Sequence, residues 1–163
     1  MTFTTRAGRT LQRSLVLAGV LGALLAVSGT ATAGECPADK VVAAGTGQKA
    51  GATKPKDVTD TVIGSIDVAK EPAAIQDRQF RLRRLEIKPG GVVPWHSHED
   101  RPAIIYVLKG TVTEYSGDCA VPIVHRVGDV STETHRVAHW WKNTGRETVV
   151  LLSADLLHTA SDP

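Results

Sequence analysis

The 163-residue sequence is short of cysteine, methionine and aromatics, with two Cys, one Met, two Phe, two Tyr and three Trp. Two cysteines exclude a disulfide-dense miniprotein, which needs several bridges to hold a small core. Charge of one sign is also missing. The formal net charge is +2, but residues 1–33 contain Arg6, Arg9 and Arg13 and no acid. Beyond them stand sixteen basic and seventeen acidic side chains, and a near-neutral chain does not carry the basic surface that nucleic acid requires. The longest apolar run, residues 15–27, is 13 residues long, whereas a membrane-spanning helix takes about 20. No stretch after residue 33 combines helical periodicity with helical length. Internal repeats are absent, and no Ser/His/Asp or Cys/His nucleophile arrangement stands at a recognisable spacing.

What the first 33 residues do contain is an ordered address. Three arginines precede the apolar run, and Ser28-Gly29-Thr30-Ala31-Thr32-Ala33 follows it. Basic end, apolar middle and small residues in an A-x-A arrangement describe a secretory signal peptide. Cleavage is expected after Ala33, giving a mature chain of residues 34–163 that is periplasmic or secreted and free of the membrane. Glu35 before Cys36 argues against a lipoprotein signal, and no Arg-Arg pair indicates a twin-arginine route. In an oxidising compartment Cys36 and Cys119 are expected to pair, although sequence does not measure their separation.

Residues 34–58 are rich in Gly, Ala, Lys and Thr, hold no aromatic, and read as an arm. From about residue 59 the texture changes to one β domain, residues 59–163. Residues 61–69 are rich in β-branched side chains, and residues 80–87 alternate with a phase slip between Leu82 and Leu85 that suggests a bulge. Pro89-Gly90-Gly91 is expected to end that strand. Further short strands are expected at residues 103–108, 111–115, 121–127, 137–141 and 147–152, separated by Gly/Asp/Asn turns, with one helical turn possible at 154–158. Short strands at this spacing predict an all-β sandwich or barrel.

Five of the six histidines fall between residues 96 and 139. His96 and His98 are separated by one residue, so on an extended strand both imidazoles face one way. Neutral imidazoles on a rigid strand are good ligands for first-row metals. A third nitrogen from a neighbouring strand would complete one face of an ion, and His139 is the best placed candidate. Alone, a His-x-His pair is equally compatible with ordinary hydrogen-bonded histidines.

The surrounding spacing resembles the cupin family. Gly90, five residues, His96-Ser97-His98, four residues, Ala103, six residues and Gly110 follow the family's first motif, with Ala103 in place of its Glu. Gly128, five residues, Thr134-His135-Arg136, two residues, His139, three residues and Asn143 follow the second, with Thr134 and Arg136 in place of Pro and Gly. The resemblance spans about residues 61–158. It implies a double-stranded β-helix, a jelly-roll barrel, with one divalent transition metal (Fe, Mn, Ni, Cu or Zn) on His96, His98 and His139.

The missing Glu raises the question of a substitute. Glu99, Glu114, Glu133 and His135 are nearby in sequence, and all are expected to be solvated rim residues rather than ligands. A three-His site holding a divalent ion is more positive than a His₃Glu site and favours an anionic co-ligand. Ala103, Ile105 and Val107 share the face that the family analogy turns inward, and Trp141 shares the parity of His139. Arg101 is expected to be a solvated loop charge, and His125, His135 and His158 surface or rim residues. The resemblance further implies a homodimer, for which the arm and the outward Ile104, Tyr106 and Leu108 are available. Two functional readings follow: an oxidoreductase of the dioxygenase type acting on a small anionic substrate, or a non-catalytic module that binds or senses a metal or small ligand.

Overall fold

A computed structural model describes residues 34–159, together with Met1. The expected signal peptide lies outside the described residues. Eight strands follow in order: β1 Lys56–Asp67, β2 Arg78–Ser97, β3 Ala103–Lys109, β4 Thr111–Ser116, β5 Ile123–Arg126, β6 Val130–Glu133, β7 Ala138–Lys142 and β8 Val149–His158. Among the described residues the helical elements are two three-residue 3-10 turns, Ala38–Lys40 and Val68–Lys70. The strand order is β5-β4-β7-β2-β8-β3-β6, with β1 on the free side of β2. Because β5 and β6 end that order and are joined by Val127-Gly128-Asp129 alone, the sheet's two ends meet. Val107 N donates to Asp129 O at 3.1 Å and Gly128 N to Val107 O at 3.0 Å across the junction. The result is a nearly closed all-β barrel of jelly-roll form.

β2 departs most from the sequence reading. Pro89-Gly90-Gly91 does not end it but bends it. Residues 78–87 pair with β8, whereas residues 92–97 pair with β7. The strand thus passes from one half of the barrel to the other at Gly90, whose φ of +76° only glycine adopts without strain. Asn143 pins the corner: Gly90 N donates to its carbonyl and its own N donates to Gly91 O, each at 3.0 Å. The Asn143 amide donates to the carbonyls of Ile87 and Glu147, both at 2.8 Å.

The expected bulge also moves. β2 and β8 stay in register from Arg78↔His158 to Ile87↔Val149, so β2 is regular there. The irregularity lies in β1, between Val62 and Gly64. Phe80 and Leu82 are simply exposed while Leu85 and Ile87 are buried. Residues 154–158 continue β8 instead of forming a helical turn, and β6 is a strand the sequence reading did not contain. Leu85, Ile87, Ile105, Val107, Trp141 and Leu151 belong to the apolar core at one end of the barrel, and each contributes about 1.5–3 kcal/mol by its burial.

The arm is docked. Cys36 and Cys119 are disulfide-bonded, with Cα atoms 5.8 Å apart. Val41 bridges Cys119, Trp95 N donates to Ala52 O at 2.9 Å, and Trp140 Nε1 donates to Lys49 O at 3.1 Å. Regular β structure starts at Lys56, three residues before the expected domain start at residue 59.

Candidate metal centre

The bend in β2 sets its second half beside β7, and the register places His96 directly opposite His139. His98 stands just past the end of β2, its N–H donating to Val137 O at 2.8 Å. The three imidazoles converge. Nε2 of His96 lies 3.0 Å from Nε2 of His98, which lies 3.1 Å from Nε2 of His139, and the third side measures 3.3 Å.

Each opposite ring nitrogen faces an oxygen acceptor. His96 Nδ1 meets Pro94 O at 2.9 Å, His98 Nδ1 meets Arg101 O at 2.8 Å, and His139 Nδ1 meets the Glu114 carboxylate at 2.6 Å. An acceptor at Nδ1 requires the proton there, so each Nε2 presents a lone pair. Three lone pairs aimed at one point repel unless a cation or a proton stands between them. This donor set fits a transition ion bound through three Nε2 atoms, with its remaining positions open. The Glu114–His139 contact is the carboxylate–imidazole pairing that orients metal ligands and raises their basicity.

The electrostatics agree. Without a metal, burial and the neighbouring His139 hold the His96 imidazole down near a pKa of about 4. The same causes hold His98 near about 3. Both are neutral ligands at ordinary pH. For His139 burial acts in the same direction, but the carboxylates of Glu133 and Glu114 outweigh it and raise its affinity for a proton. Burial alone would raise the pKa of Glu114, yet hydrogen bonds from His125 and His139 hold it well below the usual carboxylate range. Glu133 has less compensation, and burial pushes it up to about 7.

Three expectations about the rim are corrected. Glu114 and Glu133 are 3% and 2% exposed, and His125 is 0% exposed. Glu114 is buried because its two oxygens accept from His139 Nδ1 and His125 Nε2, the latter at 2.8 Å. Glu133 accepts from Ser131 Oγ at 2.7 Å, and its other oxygen lies 3.5 Å from His139 Nδ1, behind the ring rather than on its Nε2 side. Trp141 stacks on His125 and stands edge-on to His139, ring centroids 4.4 and 5.6 Å apart. Glu99 and His135 are exposed. The turn 134–137 forms without the motif's Pro and Gly, closed by Val137 N to Thr134 O at 2.9 Å.

The triad opens onto a cavity of about 250 Å³ walled by Arg83, Arg101, Ile105 and Trp141 among others. Arg101 is therefore no free loop charge; its guanidinium lies 4.0 Å from Asp155, which is wholly buried. Arg81 clamps Asp155 through two bonds of 3.0 and 2.9 Å, and Arg83 reaches it at 3.0 Å while also pairing with Asp60. Arg83 Nε remains buried without a hydrogen-bond partner. Within the cavity lining two guanidinium groups, Arg83 and Arg101, stand against one carboxylate, Asp60, which leaves this wall cationic. Arg83 shares the inward parity of Leu85 and Ile87, the one sequence signal that could have found it.

Comparison with known proteins agrees with this fold. The family model described as the cupin domain matches residues 83–155. A germin-like protein, subfamily 2 member 2, of Arabidopsis thaliana is 27% identical over 111 residues, covering 64% of this chain; the chain spans half of that relative. A predicted oxalate decarboxylase from Thermotoga maritima is structurally similar, with a TM-score of 0.52 at 20% identity over 72% of this chain and 97% of that one. The cupin domain of Schizosaccharomyces pombe Cnp3 has a TM-score of 0.50 at 16% identity over 66% of this chain and 71% of that one. At these identities the structures speak for the fold alone. With both motifs spaced as expected, the barrel nearly closed and the family model matched from β2 to β8, residues 83–155 form a cupin domain.

Proposed function

We propose that the chain is an exported mononuclear metalloprotein in which His96, His98 and His139 hold one divalent transition metal. The carrying observation is the triangle of Nε2 atoms, 3.0–3.3 Å on a side, with every Nδ1 turned to an oxygen. When bound, the ion supplies Lewis-acid chemistry and, for Fe, Mn, Ni or Cu, redox chemistry. The chain's own residues do the rest. Arg83 and Arg101 draw a small anionic substrate into the cavity, and the otherwise unpartnered Arg83 Nε gives such an anion a donor. Ile105 and Trp141 exclude water from the same space. Glu114 holds His139 in the tautomer that presents Nε2.

An oxidoreductase of the dioxygenase type is the reading this arrangement supports best. The similarity to a predicted oxalate decarboxylase is compatible with a small carboxylate as substrate, though it bears on fold alone. One observation favours a non-catalytic binding or sensing module: the cavity carboxylate Asp60 is already paired with Arg83, which leaves no unengaged acid or base beside the histidines among the described residues. Export is supported by the Cys36–Cys119 disulfide. A homodimer is supported by the exposed Ile104, Tyr106 and Leu108 on β3, and sedimentation over a range of concentrations tests it.

Elemental analysis of protein isolated from its own compartment should give about one transition metal per chain, in line with one site of three imidazole ligands. His96→Ala and His98→Ala should abolish binding, while Glu99→Ala should not. Metal-free protein with stability indifferent to chelator would refute the ligand assignment. Oxygen uptake with thiols, phenols and small carboxylates separates enzyme from binder.

A further inference from the structure

On the Nδ1 side of His139 lies a second cavity, about 340 Å³, whose wall includes Gly34, Glu114, Asp118, Glu133 and Arg136. Its charge is predominantly negative. Beside it sits an unsatisfied atom. His125 is wholly buried, its Nε2–H donates to Glu114, and its Nδ1 has no hydrogen-bond partner. With the proton on Nε2, that Nδ1 is a buried acceptor waiting for a donor.

The group packed against it is Gly34. A methyl placed on its Cα would stand 3.2 Å from His125 Nδ1, 3.0 Å from Asp129 Cβ and 2.7 Å from Val130 O. Those distances leave no room for a side chain, so the packing demands glycine. Gly34 is buried, and the disulfide at Cys36 tethers it two residues on. It also follows Ala31-Thr32-Ala33 directly.

We propose that this cavity is an ammonium socket, and that its occupant is the α-amino group of Gly34 released by processing after Ala33. Water adds across the Ala33–Gly34 peptide bond, leaving a carboxylate on Ala33 and an amine on Gly34 that takes up a proton. The new ammonium offers three donors where the amide offered one. It supplies a donor for His125 Nδ1 and a positive charge for carboxylates that would otherwise be buried beside one another. This inference rests on the export reading and not on the metal assignment.

The test uses exported protein as isolated and does not depend on whether metal is bound. Mass spectrometry should show a chain starting at Gly34. Limited acylation should modify the Gly34 α-amine at least about tenfold more slowly than a Gly-initiated peptide in the same tube, the equivalent of one pKa unit or more of protection. The difference should vanish in urea. In Glu133→Gln the folded rate should rise by at least about threefold toward that of the peptide, since one of the cavity's carboxylates is gone. Should that variant not fold, Asp118→Asn serves the same comparison. A start at any other residue, modification at the peptide rate, or protection that persists unchanged in the charge-neutralised variant overturns the socket.

Discussion

Single residues account for the chemistry, and Glu114 links most of it. It is an inward residue of β4, in phase with the buried Val112 and Ser116, and it bridges two histidines. Glu114→Gln should weaken metal binding by about 10–100-fold, the usual cost of losing a carboxylate behind a ligating imidazole, as read by competition with a chelator. The same residue sets an acid limb. Its folded pKa lies below that of an unfolded Glu, so its contribution to stability is present above about pH 4.5 and is lost as pH falls toward the folded value. Urea melts at pH 5 and pH 3 should therefore show a larger loss in the wild type than in Glu114→Gln. Ala103 gives the opposite lesson. It pairs across the sheet with Glu133 on one side and Asp155 on the other, both buried. Restoring the family's Glu by Ala103→Glu should lower metal-free stability by about 1–3 kcal/mol, because a large acid enters a packed wall beside two carboxylates. A gain in thermal stability without added metal would contradict this.

Elements were legible in the sequence to the extent that local chemistry decided them. Gly/Asp/Asn turns bounded β3, β4 and β7 because those turns are fixed by nearby residues. Pro89-Gly90-Gly91 misled for a physical reason: the same glycine that can stop a strand can bend one, and the choice was made by Asn143, more than fifty residues away. β6 was hidden because four residues containing Ser131 and Glu133 have no apolar alternation, although both side chains face inward. Likewise the triad was legible from spacing, whereas Glu114, His125 and Arg83 were not, since a polar residue on an inward face looks like a rim residue until its partner is known. The arm is the element with the clearest energetic signature. Its disulfide closes a loop with a sequence separation of 83. Cys36→Ser should cost about 2–5 kcal/mol of stability in denaturant melts, and the double variant about the same, as the two changes remove one constraint.

At the scale of the molecule, the proposed metal site would make folding and metal binding one equilibrium. Three imidazoles from β2, its end and β7 are brought together only when the barrel closes, so an ion held by them would bind the native state alone. Raising free metal to about a thousandfold above Kd should add about 4 kcal/mol of stability, and the thermal midpoint should follow metal concentration rather than sit at a fixed value. A midpoint independent of metal would separate the barrel from its ion. The docked arm adds a kinetic consequence. Because the disulfide keeps residues 37–55 tethered beside the barrel, each detachment is followed by return at the high effective concentration of an intramolecular partner. The amide of Trp95, held by Ala52 and adjacent to His96, is then a local clock for that detachment. Its hydrogen exchange should be slow in oxidised protein and should quicken on reduction before the amides of β8 respond, making the ligand strand sensitive to the redox state of its surroundings at a distance from the sulfurs themselves.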